Sequence, residues 1–140
     1  MWFEILLVFL QPLIYFLIPL IIVYFMYRRG KFKKIGRIRY LLLVGIGVIF
    51  PFIDVIQTEL AIGYEGNPIV SWYISSLPEG YGWALFILGH LALSVLAFWL
   101  GWIGRSEEKI RARAILTFFD VLWVFLITMN FTLMMIYGMI

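Results

Sequence analysis

The sequence predicts an all-α membrane protein, a bundle of four transmembrane helices with both termini outside and a short interfacial helix in the outer loop between the second and third. Three observations predict it. Of 140 residues 64% are hydrophobic and 14% charged, and the mean hydropathy is +1.02, a composition outside the range of soluble domains. Four apolar runs, about 5–27, 40–62, 82–102 and 114–139, each approach the ~20 residues that cross ~30 Å of hydrocarbon as a helix. All 11 Lys and Arg residues fall in two loops, which a four-helix chain places on one side; the positive-inside rule makes that side the cytoplasm.

The first run has no basic stretch ahead of it and a charged loop after it, which predicts a retained helix in place of a cleaved leader. Pro12 and Pro19 break its hydrogen-bond ladder and free the carbonyls of Val8 and Tyr15 near Gln11. The loop that follows, RRGKFKKIGRIR, carries Arg28, Arg29, Lys31, Lys33, Lys34, Arg37 and Arg39. Beside helix ends such a cluster sets topology and meets anionic lipid headgroups. Its placement predicts no nucleic-acid partner despite a formal charge of +3.

The second run holds Gly47, Pro51, Asp54 and Thr58. Gly47, Asp54 and Thr58 share one stripe, and Pro51 cannot donate to the carbonyl of Gly47, so a free carbonyl is expected beside Asp54. The outer loop contains GNPIVSWYISSLPEG. Asn67 caps a helix over about 68–76, with Pro68 at its first position, and Glu65 stands just before the cap. Tyr64, Trp72, Tyr73, Tyr81 and Trp83 supply the aromatic belt of a membrane interface.

In the third run His90, Ser94, Ala97 and Gly101 follow helical spacing, a small-residue stripe that predicts close approach of another helix and a homo-oligomer. The loop RSEEKIRAR adds the remaining four basic residues. The fourth run carries Asp120 near its cytoplasmic end, where the basic loops predict an ion pair, and Asn130 further out.

The outer acids Asp54, Glu59, Glu65 and Glu79 have no Lys or Arg on their own side. Helix rise places Asp54, His90 and Asn130 at ~12–13 Å below the outer boundary and Gln11 at ~10 Å, so each helix contributes one polar group to a common level. The predicted ligand- or ion-binding set is therefore Asp54, Thr58, His90, Asn130, Glu65, Gln11 and Gly47. Asp54 is expected to be protonated, to bond His90, or to bind a cation. Zero cysteines exclude disulfides and thiol chemistry, and one histidine excludes a multi-histidine metal site within a single chain. No nucleotide-binding glycine loop, zinc-type His pair or nucleophile elbow is present, and neither a cofactor nor a metal follows from the residues.

Asp54, Thr58, Gly63, Glu65, Asn67 and Pro68, taken together, resemble the signature of a domain-of-unknown-function family of small integral membrane proteins. Glu65 stands one residue nearer Gly63 than in that pattern. The resemblance implies a membrane location and no mechanism. Three function classes remain open. One is a proton- or cation-binding transporter or channel working as a homo-oligomer. The second is a non-catalytic accessory subunit that docks on a partner membrane subunit. The third is an intramembrane enzyme on lipid or peptide, with Asp54 or Glu65 as base and His90 as acid.

Overall fold

The computed structural model describes residues 2–60 and 80–136, apart from the side chains of residues 2–9, 11, 12 and 133. The predicted interfacial helix over 68–76, with Glu65 and Asn67, lies outside the described residues. Four helices follow in order: α1 Trp2–Arg28, α2 Arg37–Leu60, α3 Tyr81–Ile103 and α4 Ile110–Ile136. No strand occurs among the described residues. By length and composition α2, α3 and α4 can each cross a membrane, and α1 contributes a further apolar helical stretch over Leu13–Arg28.

Helix ends run past the apolar stretches on the basic side. α2 begins at Arg37, and α4 at Ile110, because Arg is a good helix former and its long stem tolerates the interface. α1 stops at Gly30, whose φ of 65° admits the left-handed turn of a Schellman cap. The Gly30 amide donates to the Tyr27 carbonyl and the Lys31 amide to that of Met26, each at 3.0 Å.

α2, α3 and α4 form the packed centre, while α1 rests chiefly on α4. There the Tyr15 ring lies edge-on to Phe125 at 5.4 Å, and the Tyr15 hydroxyl reaches the Met129 sulfur. Leu116 is fully enclosed, packed with Ala97, Leu100 and Ala112. The outward faces are apolar: Leu88, Val95, Trp99 and Trp102 of α3 are all exposed. A surface this hydrophobic needs a lipid or protein cover.

The small-residue stripe of α3 packs against α2 of the same chain. A Cβ on Gly101 would stand 2.6 Å from Val44 Cγ2, so the absent side chain is what lets α2 lie against α3. The Tyr40 hydroxyl donates to the Gly101 carbonyl at the same crossing, and Ser94 donates to the Val48 carbonyl at 2.9 Å.

One buried cation ties the two basic loops into a single end of the bundle. Arg113 is 3% exposed. Its Nε donates to the Gly104 carbonyl at 2.7 Å, and its two terminal nitrogens to the carbonyls of Phe32 and Arg105 at 3.1 and 3.3 Å. The planar fork suits three fixed acceptors. Phe32, 1% exposed, plugs the space beneath it.

Candidate functional site

Helical spacing brings one polar residue from each of three helices to one point. Asp54 projects from α2, His90 from α3 and Asn130 from α4, and their side chains bond directly. His90 Nε2 lies 2.8 Å from Asp54 Oδ2. Asn130 Nδ2 donates to Asp54 Oδ1 at 2.8 Å. The His90 and Asp54 side chains are only 12% and 13% exposed.

The other histidine nitrogen is bonded to the backbone. Nδ1 lies 2.8 Å from the Phe86 carbonyl, one turn back along α3. A carbonyl oxygen only accepts, so Nδ1 carries a hydrogen and donates. Nε2 then shares one proton with Oδ2: either imidazolium faces carboxylate or neutral imidazole accepts from the carboxyl O–H. In both forms the pair is neutral as a whole. Asp54 thus finds its partner in the single histidine of the chain.

Aromatic rings hold the imidazole in place. The Phe86 and Trp123 ring centroids lie 4.2 and 5.4 Å from that of His90. Beside the carboxylate, Gln57 Oε1 accepts from Asn130 at 3.5 Å, and Gln57 Nε2 donates to the Ile127 carbonyl at 3.3 Å. Gln57 was missed by sequence reasoning, although its place three residues after Asp54 puts it on the same helix face. Phe86 and Trp123 carry no polar signal that could single them out among 13 Phe and six Trp.

The remaining predicted residues fall elsewhere. Thr58 is buried one turn beyond Asp54. Gln11 lies in α1, its side chain outside the described set. Gly47 is not beside Asp54. It faces α3 and α4, where a Cβ would stand 2.8 Å from Ala97 Cβ and 2.9 Å from Asp120 Oδ1. Seven residues of helix separate Gly47 from Asp54, about 10 Å of rise, so the carbonyl that Pro51 leaves without a donor belongs to a different level of the bundle.

Asp120 also departs from expectation. It makes no ion pair with the basic loops, since the guanidinium of Arg113 is taken up by three carbonyls. The acid is 3% exposed, and neither carboxylate oxygen has a hydrogen-bond partner among the described residues. A cavity of about 630 Å³ opens at the same end as the basic loops. Lys31, Lys34 and Arg39 stand around it, and it reaches Ile46 and Thr117.

Among the described residues no three His, Cys, Asp or Glu side chains come together as metal ligands. Compared with known protein families, curated proteins and solved structures, the chain matches none.

Proposed function

We propose that this chain is a multi-pass protein of the cell membrane whose Asp54–His90 pair binds and releases a proton as part of transport. The basic loops 28–39 and 105–113 face the cytoplasm, against anionic headgroups. One observation carries the reading: the 2.8 Å contact between His90 Nε2 and Asp54 Oδ2, with Nδ1 already committed to a carbonyl. A pair arranged so holds one proton between two atoms. Adding or removing a proton charges the pair at a membrane depth where charge is costly, which couples protonation to helix packing. A proton fits better than a metal cation, because the imidazole itself occupies the open side of the carboxylate.

The test is proton flux in proteoliposomes holding a pH-sensitive dye. Asp54→Asn keeps the size of the side chain and its bond to Asn130, yet removes the acid. We expect a folded protein with flux reduced at least tenfold. Equal flux in the variant refutes the reading.

A second reading rests on the completeness of the network. Both Asp54 oxygens and both His90 nitrogens are satisfied, and Asn130 and Gln57 lace α2 to α4. Such a knot suits an accessory subunit that needs only rigidity, its apolar faces covered by a second copy or a partner membrane subunit. Wild-type protein without flux, in which Asp54→Leu loosens the bundle or its assembly by light scattering, favours that reading.

A further inference from the structure

A carboxyl group in a low-dielectric interior ordinarily has a hydrogen-bond partner. Asp120 has none among the described residues, and its surroundings explain why. On α2 the nearest backbone is Gly47, so close that Oδ1 stands 2.9 Å from where a Cβ would be. On α3 the same point meets the methyl of Ala97. On α4 itself the preceding turn offers Leu116 and Thr117, and the Thr117 hydroxyl already donates to the Arg113 carbonyl at 2.8 Å.

Charged and titratable groups on the elements packed here are all distant. On α2 they are Arg37, Arg39, Tyr40, Asp54 and Glu59, each at least seven residues from Gly47, and on α3 they are Tyr81 and His90, each at least seven from Ala97. On α4 it is Arg113, seven residues from Asp120 and occupied by carbonyls, while the described α1 side chains carry no acid and no base before Arg28 other than tyrosines. Seven residues of helix are about 10 Å. An ionised Asp120 has neither a donor nor a counter-charge. The acid form brings its own O–H, and Gly47 carries a carbonyl that Pro51 has left without its helical donor.

Two further features give this carboxyl a way in and a way on. The cavity ringed by Lys31, Lys34 and Arg39 reaches Ile46, the residue before Gly47, and Thr117, which stands about one turn before Asp120 on the same face of α4. Toward the other end, Ser94, 4% exposed, lies four residues from His90 and three from Ala97, between the two acids.

We propose that Asp120 is a second proton-binding site, midway along the bundle, which exchanges its proton with water in the basic-ringed cavity past Thr117. On release the O–H bond of the carboxyl breaks, its electron pair stays on the carboxylate oxygen, and the proton passes to a cavity water and out; loading is the reverse. This deepens the proton-transport reading and rests on it for direction, since it supplies the cytoplasmic counterpart of the Asp54–His90 pair.

The experiment is infrared difference spectroscopy on the reconstituted full chain. Wild type minus Asp120→Asn should show the C=O band of a protonated carboxyl, moving on transfer to D2O. Asp54→Asn should keep that band. Thr117→Leu, which fills the inner end of the cavity, should slow its D2O exchange at least tenfold. Leu42→Trp, placed on the exposed rim where folding is not at stake, should slow it severalfold. The absence of a band that Asp120→Asn removes overturns the proposal. So does a band that never exchanges, or one that exchanges at the wild-type rate in both cavity variants. If Asp54→Asn leaves flux intact while the Asp120 band behaves as expected, the outer-site reading fails and the Asp120 site stands.

Discussion

Gly47→Ala adds one methyl at the crossing of three helices, and the structure says what that methyl meets. Its nearest neighbours would be Ala97 Cβ at 2.8 Å, Asp120 Oδ1 at 2.9 Å and Leu116 Cδ1 at 3.0 Å. Non-bonded carbons rest at ~3.5–4.0 Å, so the first and third contacts are too short by ~0.5 Å or more. Ala97 is anchored to its own backbone and cannot turn aside. Leu116 is fully enclosed. Relief therefore requires α2 to move off α3 and α4, an overpacking cost of about 1–3 kcal/mol. Gly45→Ala is the control, since nothing lies within 4 Å of its Cβ. Both substitutions bring the same gain of up to about 1 kcal/mol in helix propensity, which cancels in the comparison. Gly47→Ala should thus be less stable than Gly45→Ala by about 1–3 kcal/mol. Reversible unfolding in mixed micelles, followed by tryptophan fluorescence, measures the difference. Equal stability of the two variants would mean that α2 does not sit against Ala97 and Asp120 as described, and the account of the Asp120 site would go with it.

Two other expectations concern the basic end. The chain has no native cysteine, so single cysteines at exposed Tyr81 and Ser106 label against no background. An impermeant reagent added outside should modify Tyr81→Cys and spare Ser106→Cys, and the reverse pattern would invert the orientation. Arg113→Lys keeps the charge but replaces a three-point fork with one ammonium, leaving two of the three carbonyls unpaired; a loss of about 2–4 kcal/mol is expected in the same unfolding assay. A change below about 0.5 kcal/mol would mean that water satisfies those carbonyls and that the guanidinium is no clasp.

The fold was legible because lipid imposes its requirements on every residue of a span. Runs near 20 residues and a one-sided placement of Lys and Arg need no partner to be read. Asp54, His90 and Asn130 were legible for a related reason: helix rise is fixed, so residues counted from the boundaries share a level whatever the packing. Rotation about the helix axis is different, since it depends on which neighbours a face meets. Gly47 and Asp54 do share a stripe of α2, but the stripe spans two levels, and α4 supplies Asn130 at one and Asp120 at the other. Gln57 escaped notice because an amide in a membrane helix has many uses, and only the Asn130 and Ile127 partners select one. The small-residue stripe pointed outward to another copy when its partner was α2 of the same chain; spacing says that a close approach occurs and not with which helix.

The two levels differ in a way that bears on how the bundle can work. At the outer level every polar atom of the Asp54–His90 pair has a partner, and its neutrality comes from two side chains on different helices. The pair therefore ties α2 directly to α3. At the inner level Asp120 has no hydrogen-bond partner among the described residues, and only its own proton would make it neutral. The missing side chain of Gly47 is what lets this carboxyl lie so close to α2. Under the proton-transport proposal, a proton moving from one level to the other would exchange a charge in the α2–α3 seam for one against α4. Pro51 lies between, fully buried, at the point where α2 has lost a rung of its ladder and bends most readily. Under that proposal Pro51 is therefore the place in α2 where protonation at the two levels would meet mechanically.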